Sequence, residues 1–179
     1  NCQAAPGEWS AGQYIPSFYG YQGAKPAATM DESFPDVMNY VENHYKVAKD
    51  KAHRAICGLS MGGGHSFDIS RRFPTKFDYI GLFSAGLHVS TTGDFRNDFY
   101  KQLQGNEEAK TQLATLFKNK PKLYWIGMGK TDFLYKSSAD LRRYFDEKGY
   151  KYTYLETEGG HIWRNWRVYL TEFAQKIFK

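Results

Sequence analysis

Short apolar runs alternate with amphipathic stretches through most of this chain, and no other feature restricts its fold as strongly. Phe34, Val37, Met38, Val41 and Tyr45 recur at three- and four-residue steps, which predicts a helix over 31–46 with those side chains turned inward. The run 53–57 is short, apolar at its end and stopped by Gly58, and reads as a strand. A turn passing into a helix follows over 60–73 and is closed by Pro74. Residues 79–85 and 123–128 read as buried strands, with one or two helices in the polar stretch 91–119 between them. A helix over 140–148 and a fourth strand over 152–155 come next. Ile162, Trp166, Tyr169, Leu170, Phe173 and Ile177 mark the inner face of a closing helix. Strands that alternate with helices pair in parallel, carry helices on both faces, and collect ligands beyond their carboxyl ends. Function is therefore to be sought in the turns after Cys57, Met128 and Thr157.

A chain of 179 residues is long enough for a single domain that buries roughly 70% of its unfolded surface. Residues 1–29 mix Gly, Pro, Ser and aromatic residues without a period and read as a loop-rich segment draped on that domain. The opening NCQAAPGEWS lacks the basic flank and apolar stretch of a signal peptide, and no apolar run approaches the ~18 residues of a membrane helix. The net charge of +5 comes from scattered rather than clustered basic residues, so neither nucleic acid nor a membrane is an expected partner. Cys2 and Cys57 are too few for a disulfide framework and form no CxxC pair. No HExxH, calcium loop or paired histidines at ligand spacing occurs, so no metal is expected.

Gly58-Leu59-Ser60-Met61-Gly62 is a G-x-S-x-G placed after a strand and before a helix. A serine at such an elbow sits in a strained backbone conformation, and Gly58 and Gly62 supply the small neighbours the turn needs. The helix that starts there points its positive dipole end at the site, with the Met61 N–H as the expected donor to an oxyanion. A serine hydroxyl is a poor nucleophile unless a histidine takes its proton and an acid orients that histidine. His44 and His53 flank elements ahead of the elbow, and His65 lies on the same helix as Ser60, pointing away; each reads as a surface or packing residue. His88 competes, but His161 occupies a Gly159-Gly160 loop after the last strand, from which a side chain reaches across the strand ends. Asp132, at a strand's carboxyl end, is the expected acid; Glu156 and Glu158 are lesser alternatives, and Asp94 and Asp98 read as caps or surface charges. The order Ser60, Asp132, His161 is that of α/β-hydrolases. Gly129-Lys130-Thr131 ends like a P-loop, yet Tyr124 stands where that motif needs glycine, and nucleotide binding is rejected. Trp166 falls on the buried helix face, whereas Trp163 lies beside His161, where it could stack on an aromatic acyl group or a sugar.

CGLSMGGG, the GxxD turn at 129–132 and the closing GGHIWRNW together resemble the esterase D/feruloyl esterase group, carbohydrate esterase family one, over about 33–178. The resemblance implies an α/β-hydrolase fold and a cofactor-free serine esterase cleaving feruloyl, other cinnamoyl or acetyl esters on plant xylan. It assigns Ser60 as nucleophile, Asp132 as acid, His161 as base and Met61 as one oxyanion donor. A secreted or periplasmic setting and an esterified plant polysaccharide or oligosaccharide as partner are implied by it alone. Members of the group carry further strands and an HG-like loop ahead of this region, and residues 1–52 contain no such motif. The strand before Ser60 is then expected to be an unpaired edge unless residues 1–29 or another chain covers it. The chain then resembles a truncated esterase, a fragment, or one that completes itself by association, with a homodimer or strand-swapped assembly expected. A catalytically impaired glycan-binding module and an S-formylglutathione hydrolase-like esterase are the competing readings.

Overall fold

Four strands, β1 (Ala55–Leu59), β2 (Tyr79–Phe83), β3 (Leu123–Gly129) and β4 (Thr153–Thr157), form one parallel sheet in that order. The structure is a computed structural model that describes residues 30–89 and 98–179. Ala55 is in register with Tyr79, Tyr79 with Leu123, and Trp125 with Thr153. Helix α1 (Met30–His44) precedes the sheet, and α2 (Met61–Arg72) links β1 to β2. Helices α3 (Phe99–Gln104) and α4 (Glu107–Lys118) lead to β3, α5 (Tyr135–Lys148) leads to β4, and α6 (Trp163–Ala174) closes the chain.

The two-residue period of a strand sorts the core into two layers. Ile56, Ile80, Leu82, Tyr124 and Ile126 face one side, where they meet Phe67 of α2, Leu103 of α3, Leu113 of α4 and Phe145 of α5. Tyr79, Phe83 and Trp125 face the other, against Trp166, Tyr169 and Phe173 of α6. The Phe83 ring lies 5.3 Å from that of Trp125 and 5.8 Å from that of Phe173, both edge-on, a geometry that contributes about 0.5–1.5 kcal/mol per pair beyond area burial. Helix ends follow their local chemistry. Asn106 Oδ1 accepts the Ala109 N–H at 2.9 Å to open α4, and Gly149, at φ +67°, stops α5.

Several expected boundaries move. The first strand lies two residues later than 53–57, because His53 belongs to a 3₁₀ turn over Lys51–His53. Helix α5 begins at Tyr135 rather than 140, its first turn hidden by Ser137 and Ser138, which are buried polar residues; the Ser137 hydroxyl donates to the Leu134 carbonyl at 2.9 Å. Two apolar stripes are only half covered. Phe34 and Met38 of α1 pack on the core, but Val37, Val41 and Tyr45 are exposed, because α1 rests on α2 and its remaining face overhangs a cavity of about 470 Å³. On α6, Trp166, Tyr169 and Phe173 are buried while Leu170 and, just ahead of the helix, Ile162 are exposed. That helix sits over β2 and β3, leaving its flank towards β1 without cover among the described residues. Among the described residues β1 pairs only with β2, and no described strand lies on its other side.

Candidate active site

Ser60 follows β1 directly and precedes α2, with φ +54° and ψ −118°, a conformation that a non-glycine residue holds only when its surroundings over-determine it. Its N–H donates to the Phe83 carbonyl at 2.9 Å, and its own carbonyl accepts from Gly64 at 3.2 Å and Gly86 at 2.9 Å. The elbow is thus tied to both α2 and the end of β2. Gly58 is required there: a methyl group on it would stand 2.3 Å from the Gly62 carbonyl. Gly62 is not, since a Cβ would meet nothing within 4 Å; the second small position is Gly63, whose Cβ would approach that of Ala85 to 2.7 Å. Met61 is the first residue of α2, so its N–H belongs to the helix's positive end.

Asp132 is buried in the turn after β3, where its Oδ1 accepts the Leu134 N–H at 2.9 Å. His161 Nδ1 lies 2.9 Å from Asp132 Oδ2 and 3.1 Å from Oδ1, while Nε2 lies 2.8 Å from Ser60 Oγ. An ionised carboxylate only accepts, so Nδ1 carries the proton and Nε2 is left to accept from the serine hydroxyl. The three expected residues are therefore brought into one hydrogen-bonded relay from three separate strand ends. Backbone bonds lace the last two turns together: Lys130 N–H to Thr157 O at 2.9 Å and Thr131 N–H to Gly159 O at 3.1 Å.

Sequence reasoning missed two supports of this relay and an aromatic ring beside it. Gly129 allows the lacing, because a Cβ on it would stand 2.3 Å from the Gly159 carbonyl. Asn165 is buried and donates from Nδ2 to the Gly160 carbonyl at 3.0 Å, pinning the loop that carries His161. Phe133 packs its ring 4.7 Å from that of His161. Asn165 four positions after the histidine and Phe133 next to the acid were the available signals. Trp166 meets the His161 ring edge-on at 4.9 Å and Trp163 at 5.1 Å. Trp163 is 63% exposed and lines, with Gly58, Leu59, Phe83 and Leu170, a cavity of about 210 Å³.

The rejected candidates lie elsewhere. His44 Nδ1 bonds the Tyr40 carbonyl at 2.7 Å, and His53 pairs with Asp50 at 2.8 Å, both exposed. His65 is buried against Asp31 at 2.9 Å, a packing contact between α2 and α1. His88 is buried beside Gln102, and that burial holds its ring below the usual histidine range. Glu158 pairs with Lys130, Glu156 accepts from Tyr135 and Tyr154, and Asp98 is a surface charge 3.8 Å from Lys101. Asp94 lies outside the described residues.

A parallel sheet with a serine on a strand-to-helix elbow, an acid after the third strand and a histidine after the fourth defines an α/β-hydrolase. Within that class the chain belongs to the Esterase family, whose model matches residues 22–177. It is 25% identical over 164 residues to an acetyl esterase of Caldicellulosiruptor saccharolyticus, covering 80% of this chain and 61% of that protein. To an endo-1,4-beta-xylanase/feruloyl esterase of Xylanibacter ruminicola it is 29% identical over 154 residues, which is 84% of this chain and 17% of the relative. A solved ferulic acid esterase of the anaerobic fungus Anaeromyces mucronatus superimposes with a TM-score of 0.62 at 19% identity, over 91% of this chain and 60% of that one. The chain thus spans about three fifths of the length of the acetyl esterase and of the fungal enzyme.

Proposed function

We propose that this chain carries the nucleophile, base and acid of a serine esterase acting on feruloyl, other cinnamoyl or acetyl esters of plant xylan-type polysaccharides. The relay from Ser60 through His161 to Asp132 is the observation that carries the reading. Ser60 Oγ attacks the ester carbonyl carbon as its proton passes to His161 Nε2. The carbonyl electron pair moves onto oxygen, facing the Met61 N–H at the leading end of α2. When the tetrahedral adduct collapses, the C–O bond to the alcohol breaks, and His161 returns its proton to the departing oxygen. Water repeats the sequence on the acyl-serine, releasing the carboxylic acid and restoring Ser60. Asp132 stays ionised throughout, holding Nδ1–H in place and offsetting the charge on the imidazolium.

The names of the bacterial relatives support the substrate class: one is an acetyl esterase, the other joins a xylanase to a feruloyl esterase. Trp163 beside the apolar cavity suits an aromatic acyl group. A polymer of this kind is met outside the cytoplasm, and we place the protein there, secreted or periplasmic.

A fluorophosphonate phosphorylates an activated serine, so mass spectrometry is expected to find one adduct, on Ser60, absent in Ser60→Ala. Turnover of methyl ferulate and acetylated xylan is expected to fall in that variant by on the order of 10⁴–10⁶. Equal inertness of wild type and Ser60→Ala towards both esters and towards S-formylglutathione would remove the catalytic reading and leave a glycan-binding module. Hydrolysis of S-formylglutathione alone would move the substrate to an intracellular thioester.

A further inference from the structure

The relay leaves one aromatic side chain without an assignment. Phe133 follows the acid, touches the base, and is 55% exposed, while the adjacent Leu134 is buried. The turn that carries it is pinned on both sides: Asp132 N–H donates to Gly129 O at 3.1 Å, Leu134 N–H to Asp132 Oδ1 at 2.9 Å, and Tyr135 N–H to Asp132 O at 2.9 Å. Singly exposed apolar residues are ordinary on protein surfaces, so exposure by itself means little. What sets Phe133 apart is a ring, carried on that pinned turn, 4.7 Å from the imidazole that must hand a proton to the leaving group.

The aromatic side chains at the site form a row, Phe133, His161, Trp166 and Trp163, exposed at its two ends. The Trp163 end borders the cavity lined by Gly58 and Leu59, the residues running into Ser60, where the acyl carbon becomes bonded. The Phe133 end touches the base. The departing alcohol must come within hydrogen-bond reach of His161 Nε2, which brings it past this end of the row. We propose that Phe133 is a specificity-determining residue that stacks against the sugar of the leaving alcohol. A pyranose or furanose presents an apolar C–H face that packs on the electron-rich face of an aromatic ring, while its hydroxyls keep their water. An open platform fits such a group; a closed apolar pocket would strip those hydroxyls of partners.

This inference rests on the esterase reading, and the test separates the two. Methyl ferulate and a feruloylated pentose oligosaccharide share an acyl group and differ only in the alcohol. In Phe133→Ala, the ratio of kcat/KM for the oligosaccharide ester to that for methyl ferulate is expected to fall on the order of tenfold, mainly through KM. Phe133→Trp is expected to restore the ratio. An equal loss on both esters with a displaced pH profile would make Phe133 a support for His161 and overturn the proposal, as would an unchanged ratio. A wild type that hydrolyses neither ester would instead sink the feruloyl-ester reading on which this inference rests, and the sugar platform with it.

Discussion

Two histidines of this chain are set to different tasks by what surrounds them. His161 keeps a partly open ring between Asp132 and Ser60, and its two nitrogens are distinguished by those partners. His88 is buried, and the loss of water lowers its affinity for a proton. Below the unfolded histidine value of about 6.5 the unfolded chain therefore binds more protons at this position than the folded one. Its contribution to stability is present above that pH and is lost as pH falls through the lowered folded value. Asp68 acts in the opposite sense: burial lifts its carboxyl to about 6 despite the Arg71 guanidinium at 2.6 Å, so its share is greatest in acid and is lost as pH rises. Comparing variants isolates the histidine. Between pH 8 and pH 5 the melting temperature of wild type, relative to that of His88→Gln, is expected to fall; parallel curves would show that burial of this ring is not coupled to protonation.

Each strand end that carries a reactive group depends on close backbone approach to its neighbour. At β3 this is Gly129, where an added methyl would collide with a carbonyl of the loop that follows β4. Gly129→Ala is expected to cost about 1–3 kcal/mol in thermal unfolding and to slow fluorophosphonate labelling, because the turns holding Asp132 and His161 are forced apart. Gly62→Ala meets no neighbour within 4 Å and lies inside α2, so it is expected to be neutral or to stabilise by up to about 1 kcal/mol. The contrast also shows what was legible in the sequence. Strand-helix alternation located all three turns that the relay joins, because residues at a strand's carboxyl end are placed by topology rather than by detail. Which glycine of the elbow mattered was not legible, since Gly58, Gly62 and Gly63 are equivalent as letters and differ only in what a Cβ would touch. The start of α5 was hidden because its first turn buries serines, and a hydrophobic period cannot register polar residues that satisfy themselves on the backbone. Val37, Val41 and Leu170 sit on genuine apolar stripes, but a stripe reports that a face is apolar, not that a partner lies within this stretch of chain.

At the scale of the molecule, those uncovered stripes converge on one margin. The side of β1 that pairs with no described strand runs between a cavity of about 470 Å³ at its Ala55 end and one of about 210 Å³ beside Cys57 and Leu59. Unpaired strand hydrogen-bonding groups flanked by apolar surface favour the addition of another strand. Self-association through β1 is therefore expected as a homodimer or strand-swapped assembly. Light scattering is expected to give a mass that is a multiple of 20.6 kDa, whereas one 20.6 kDa particle at all concentrations up to about 10⁻⁴ M would count against it.

The hydroxyl and the imidazole that meet at 2.8 Å are separated by 101 positions in the chain. During synthesis the serine emerges well before its partner in the relay has been translated, so a nascent polypeptide holds Ser60 without its hydrogen-bonded histidine until the loop after β4 leaves the ribosome. Fluorophosphonate labelling of Ser60, expected under the proposed function, would therefore report that the ends of β1, β3 and β4 have come together.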